Sequence, residues 1–210
     1  MLNSRVKSDL ELMVHNDERI LWRGRPDKKC YILEAIVNPL LFFSGLWLLF
    51  DLALFGWIGG TRQQSLEVGT IIFLAIHLMP VWIYLINALF VFRRYHHTEY
   101  IITDKGVYVS GGTFAYTCQM KPYTEVSHIS IHRGIFDQQL GVGDVVFSSQ
   151  DAPVNTRQSV DILSITDIRD YQKVFELVKK LQTDIFADTM YPNDLRPAEN
   201  HGYRTKYKGL

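Results

Sequence analysis

The sequence predicts a membrane α-helical hairpin followed by a cytoplasmic α+β domain, six or seven antiparallel strands in a small barrel or sandwich closed by a C-terminal helix. Three observations carry that expectation. Residues 35–92 hold only three charges, Asp51, Arg62 and Glu67, while the other 152 residues hold the remaining 41. Lys and Arg collect at one end of this uncharged stretch. Beyond Arg94 the apolar residues stop running continuously and alternate instead, then take a helical period. Averages over the chain conceal all of this. With 210 residues, a formal charge of zero and 47% hydrophobic residues, the composition excludes a disordered chain, a collagen-like chain, a disulfide scaffold and a broadly basic nucleic-acid binder.

The second apolar segment, Val68–Phe92, runs 25 residues without a charge, enough to cross a hydrocarbon core of about 30 Å. A soluble core helix has no need to be apolar on every face. The first segment, Ala35–Ile58, has similar length and contains Asp51. Pro39 and Pro80 fall inside the two spans, where neighbours can satisfy the freed carbonyls. A cleaved signal peptide is not expected, because the first 30 residues are polar. Orientation follows the distribution of basic residues. Arg19, Arg23, Arg25, Lys28 and Lys29 precede the first span and Arg93 and Arg94 follow the second, against Arg62 alone between them. Both termini are therefore expected in the cytoplasm, joined by an external turn over Gly59–Glu67. Cys30 and Cys118 then fall on the reducing side and make no disulfide framework.

The remaining segments follow in order. Thr98–Thr103 and Gly106–Ser110 read as strands joined by a hairpin at Asp104-Lys105. Phe114–Met120, Val126–Arg133, Asp144–Ser149 and Ser159–Ile165 read as further strands. Ile168, Tyr171, Val174, Phe175, Val178 and Leu181 then form one apolar helical stripe, with Thr166 or Asp167 as its expected N-terminal cap. Asp9–Val14 can form a short amphipathic turn of helix. The domains expected are a cytoplasmic segment (1–30), the two-helix hairpin (31–92), the barrel (93–185) and a mobile tail (186–210).

Four features point to a family. Glu18-Arg-Ile-Leu-Trp-Arg-Gly-Arg-Pro26 precedes the hairpin, and Tyr100-Ile-Ile-Thr-Asp-Lys-Gly-Val107, the Ile129/Ile131 strand and Leu140-Gly-Val-Gly-Asp-Val145 follow it. In that order, over residues 18–183, the chain resembles the bacterial pleckstrin-homology-like two-span membrane proteins. The resemblance implies a seven-stranded barrel with a C-terminal helix, held at a bacterial cytoplasmic membrane. It carries over no catalytic residues and no cofactor. Phosphoinositide-reading members of the wider fold place several basic residues at the first hairpin, where this sequence offers only Lys105.

The candidate chemistry is sparse. Asp51 and His77 should lie at similar depth in an antiparallel hairpin, as should Asn38 and Asn87, and polar groups in a membrane find partners. They can clasp the hairpin, or Asp51 and His77 can line a proton or ion path in an oligomer. A third option places Asp51 at the outer interface. His128 and His132 share a strand face but sit about 13 Å apart by strand rise, too far to chelate one ion. Gly141-Val-Gly143 reads as a hairpin turn with glycines at positive φ. The basic collar of Arg19, Arg23, Arg25, Lys28, Lys29, Arg93 and Arg94 sets topology and attracts anionic headgroups. The expected function is a non-catalytic, membrane-tethered interaction or scaffolding module. Its partners would be the lipid bilayer and a membrane-associated protein or a second copy, with no nucleic acid. The alternative is a subunit of a small oligomeric channel or transporter using Asp51 and His77.

Overall fold

The computed structural model describes residues 8–61, 68–149 and 162–190. In chain order the elements are α1 (Asp9–Met13), β1 (Ile20–Gly24), α2 (Lys28–Ile36), α3 (Pro39–Thr61), α4 (Val68–His77), α5 (Met79–His97), β2 (Glu99–Thr103), β3 (Gly106–Gly111), β4 (Thr117–Pro122), β5 (His128–His132), α6 (Ile135–Leu140), β6 (Gly143–Ser148), β7 (Ile162–Ile168) and α7 (Tyr171–Met190). They form two compact units, residues 1–31 with 94–210, and residues 32–93.

The first unit holds two antiparallel sheets, ordered β1-β2-β3-β4 and β5-β6-β7. Six strands come from the segments read as strands in the sequence; the seventh, β1, comes from the N-terminal segment. That segment therefore belongs to the same compact unit as the other six strands, although the whole of residues 32–93 separates them in sequence. Tyr100, Ile102, Val107, Val145, Phe147 and Ile165 project into one core, which Val174, Val178 and Leu181 of α7 close. With Ile168, which lies on β7, these three are the buried residues of the expected apolar stripe. On the other face of β2 and β3, Ile101 and Tyr108 are covered by Leu10 of α1. With both faces covered, every residue of β2 is buried, which is why that strand reads as an apolar run rather than an alternation.

Several boundaries differ from expectation for local reasons. The strand β7 runs on through Ile168, so neither Thr166 nor Asp167 caps the last helix. A two-residue turn follows, and the Asp170 carbonyl accepts the Val174 amide at 2.9 Å in the first turn of α7. The helix continues to Met190, past the expected boundary at 185; residues 191–210 and the start of the expected strand at Ser159 lie outside the described residues. Gly141 has φ 69°, but it ends α6 as a left-handed C-cap rather than turning a hairpin, and Gly143 has no positive φ.

The second unit contains the apolar helices. Lys28–Gly56 makes one helical stretch long and apolar enough to cross a membrane, with a mean hydropathy of 1.8 in its most apolar window. Asn38 interrupts it locally and caps α3, its Oδ1 accepting the Leu41 amide at 3.2 Å and its Nδ2 donating to the Ala35 carbonyl at 2.8 Å. Pro39 takes the first helical position, where its missing N–H costs nothing. Asn38 thus serves its own segment rather than reaching toward Asn87. The second apolar segment is not one straight helix: α4 and α5 meet at Leu78 with a bend of 57°. Pro80 lies two residues on, and proline removes a helical donor and clashes with the preceding turn. Counted as one span, the bent pair brings the candidate membrane spans to two. Of the expected external turn, residues 62–67 lie outside the described residues.

Gly24 ends β1 directly against the indole of Trp22, and an added Cβ would clash with the nearest ring carbon. Gly24→Val is therefore expected to displace Trp22 from the core and destabilise the fold by about 1–3 kcal/mol. A lower midpoint in thermal unfolding of the full chain in detergent checks this; an unchanged midpoint contradicts it.

Candidate functional site

The chain leaves the first unit after β1 and re-enters it at β2, and these two strands are neighbours. Gly24 pairs with Tyr100 and Arg23 with Ile101. Alternation turns Trp22 and Tyr100 into the core and Arg23 and Glu99 outward. Glu99 is 5% exposed and is held by the Arg23 Nε at 2.5 Å and the Arg25 guanidinium at 3.8 Å. Arg23 also donates to Glu11 of α1 at 2.9 Å. A buried carboxylate needs such partners. Just upstream, Glu18 accepts from the hydroxyls of Thr103 (2.8 Å) and Tyr108 (3.1 Å). Burial and the Glu18 carboxylate push the Tyr108 phenol up to about 12.

After Pro26, Asp27 starts α2. Its Oδ1 accepts the amides of Lys29 (2.9 Å) and Cys30 (3.3 Å), and its Oδ2 accepts Arg169 Nη2 at 2.7 Å. Burial alone would raise this carboxyl; the Arg169 guanidinium and the two amides overcome it and hold it below the usual range. The expected collar therefore divides. Arg23 and Arg25 sit on Glu99, and Arg94 donates to Thr113 at 3.3 Å. Arg19 joins the β2–β3 hairpin through its backbone, with its amide on Asp104 Oδ1 at 3.0 Å. Lys28 and Lys29 are exposed. Arg93, also exposed, belongs to the second unit. Glu99 and Asp27 escaped the sequence reading. Asp27 carried a usable signal, an aspartate just before a helical run; Glu99 looked like one more polar strand residue.

In the second unit, Asp51 and His77 are brought together. Asp51 Oδ1 lies 2.7 Å from His77 Nδ1, and Asp51 is 2% exposed. At the bend the Val81 amide bonds the Leu78 carbonyl, and the His77 carbonyl accepts Trp47 Nε1 at 2.9 Å. Trp47 and Phe73 also place their rings 5.1 and 5.2 Å from the imidazole. The pair thus stands at the kink, joined to α3 through both a side chain and the backbone. Trp47 was not anticipated as part of it.

The bacterial PH domain family model matches residues 48–182. The chain belongs to the bacterial PH domain family. No curated protein and no solved structure gives a significant match. The matched range begins inside α3 and ends near the close of α7, so β1, which completes the four-stranded sheet of this PH-like domain, lies upstream of it. At the first hairpin of the PH-like domain, Lys105 pairs with Asp17, which leaves that position poorly suited to phosphate.

A knot of polar groups joins Cys30 of α2 to α6, β6 and β7. The Cys30 thiol donates to Asp137 at 3.2 Å; Gly134 N–H donates to the same carboxylate at 2.7 Å, and Asp144 accepts the Asp167 amide at 2.8 Å. Burial, reinforced by Asp167 and Asp137, pushes the Cys30 thiol far up, so it is a hydrogen-bond donor rather than a nucleophile. Cys30, Asp137 and Asp167 offer ligand atoms close enough for one cation, as do His132, Asp137 and Asp144. Each aspartate here also has a backbone role: Asp137 caps α6, Asp144 orients Asp167, and the carbonyl of Asp167, at φ 57°, accepts the Asp27 amide at 2.7 Å.

Because the folded carboxyl of Asp27 titrates below its unfolded value, its stabilisation is complete above about pH 4 and is lost as pH falls through the lower folded value. Asp27→Ala is expected to cost about 1–2 kcal/mol at neutral pH, chiefly as a lost cap. The difference from the parent should shrink on acidification. Unfolding midpoints of both chains between pH 3 and 7 check this; a difference that grows toward low pH contradicts it.

Proposed function

We propose that this bacterial PH domain protein is a membrane-tethered interaction module without catalytic activity, anchored in a bacterial cytoplasmic membrane with both termini inside. Membership of the family supports an interaction or scaffolding role. The observation that carries the tether is the placement of the apolar helices between two paired strands of the PH-like domain. Phe42, Leu46, Leu49, Leu52, Ile76 and Leu89 are each more than 60% exposed on those helices. In water such a surface is a large apolar patch that demands a cover; hydrocarbon supplies it. The seven-to-one distribution of basic residues supports the inward orientation. A domain held at the lipid surface meets membrane-associated partners at raised effective concentration. Crosslinking in native membranes followed by mass spectrometry tests the role. Recovery of a second membrane-associated protein is expected; self-crosslinks alone would favour a homo-oligomer.

A second reading has one specific observation behind it, the Asp51–His77 contact. In an oligomer the pair can carry protons; in a single hairpin it clasps α3 to α4. The close approach of the two groups and the near-complete burial of Asp51 favour the clasp. Asp51→Asn with His77→Gln should then lower the thermal midpoint of the full chain in detergent and leave proton leak across proteoliposomes unchanged. A proton flux in the parent that the double variant abolishes would establish the channel reading instead.

A further inference from the structure

The connection between β3 and β4, Gly112–Tyr116, is short and shaped by one residue. Gly112 has φ 122°, and a Cβ there would collide with the Ala115 carbonyl. The tight loop that results carries Phe114 at its tip, 76% exposed, with Ala115 and Tyr116 exposed beside it. Most of the Phe114 side chain is thus presented outward at the tip of a loop held in one shape.

Its surroundings identify what covers it. Thr113, next to Phe114, accepts from Arg94 Nε at 3.3 Å, and the Tyr116 ring meets His97 edge-on at 6.3 Å. Tyr116, His96, His97 and Arg25 line one cavity of about 320 Å³. Arg94, His96 and His97 are among the first residues after the apolar insert, and Arg25 is among the last before it. In sequence these residues stand within a few positions of where the first span starts and the second ends. An aromatic tip rimmed by Arg, His and Tyr has the composition of a segment at a lipid–water boundary, where apolar bodies face the acyl region and polar ends stay wet. Cations at that depth are drawn to an anionic leaflet.

We propose that the Gly112–Tyr116 loop is a second, peripheral membrane contact, inserting Phe114 into the headgroup–acyl boundary of an anionic leaflet. This rests on the membrane-tether reading. The covalent tether fixes distance, and the loop fixes orientation, so that the domain presents one defined face to the cytoplasm. Interfacial segments bury their apolar side about 5–10 Å deep, within the reach of one phenylalanine on a tight turn.

The test uses the full chain with Cys118→Ser, in vesicles of phosphatidylcholine and phosphatidylglycerol carrying brominated acyl chains. A bimane probe at Ala115→Cys is expected to be quenched by the lipid, while the same probe at the exposed Glu176→Cys on α7 is not. Adding Phe114→Ser should remove most of the quenching at position 115, and Phe114→Trp should retain it. Equal quenching at 115 and 176, or no loss with Phe114→Ser, overturns the proposal. Protection of the 115 probe from aqueous iodide without lipid quenching would place a second copy over the loop and equally overturn it. Alkaline carbonate separates the two levels. A chain that it extracts defeats the tether itself, whereas a retained chain with an unquenched loop defeats only the loop contact.

Discussion

The pairing of β1 with β2 is the constraint on which the rest of the structure depends. These strands are adjacent in the sheet yet separated in sequence by the whole apolar insert. Their backbone bonds alone would make a weak seam, because β1 is a five-residue edge strand. Side chains reinforce it on both faces. Inside, Leu21 and Trp22 enter the same core as Tyr100 and Ile102; outside, Arg23 and Arg25 converge on Glu99, and Glu11 brings α1 onto the same guanidinium. Glu99 and Arg23 occur on opposite sides of the insert, so the ion pair exists only when the insert has returned the chain to its start.

This reassigns much of the Glu18–Pro26 motif. In sequence its arginines count toward a positive collar, and charge distribution does bear on topology. In the fold, Glu18 receives two hydroxyls, Arg19 is joined through its backbone to Asp104, Arg23 and Arg25 neutralise Glu99, and Gly24 makes room for Trp22. Lys28 and Lys29, just past the motif, are exposed as well. A surface charge near a membrane and a partner for a buried carboxylate are not exclusive roles, but only the second fixes where the side chain points. The spacing of the motif follows from the strand: a register shift between Ile20 and Trp22 lets Leu21 and Trp22 both enter the core, and Arg23 then faces outward.

What was legible in the sequence was whatever depends on local periodicity. The alternation in Val126–Arg133, the hairpin at Asp104-Lys105 and the stripe ending at Leu181 correspond to β5, the β2–β3 turn and the buried face of α7. The proximity of Asp51 and His77 was also legible, since an antiparallel hairpin leaves little choice of register. What was not legible depends on partners far away in sequence. Nothing near Leu21 and Trp22 marks them as a strand, because the strand that completes them begins at Glu99. Cys30 and Asp137, 107 residues apart, meet in a buried hydrogen bond that no spacing rule would find. Prolines acted in two opposite ways for a physical reason: Pro39 begins a helix, where its lost donor is irrelevant, while Pro80 lies just past a junction and accompanies a 57° bend.

The bend and the seam are linked by chain entropy. A sheet contact across a long flexible segment must overcome the cost of closing that segment, which grows with the logarithm of its length. Helical structure in the insert removes most of that freedom beforehand, and a clasp between α3 and α4 removes more. Asp51–His77 and the Trp47 bond to the His77 carbonyl are placed where the Pro80 bend would otherwise leave the return path of the chain ill-defined. Under the clasp reading proposed above, a polar pair in the apolar helices needs no transported ion to account for it. It ties α3 to α4 within the insert, which is flanked by the strands β1 and β2 of one sheet.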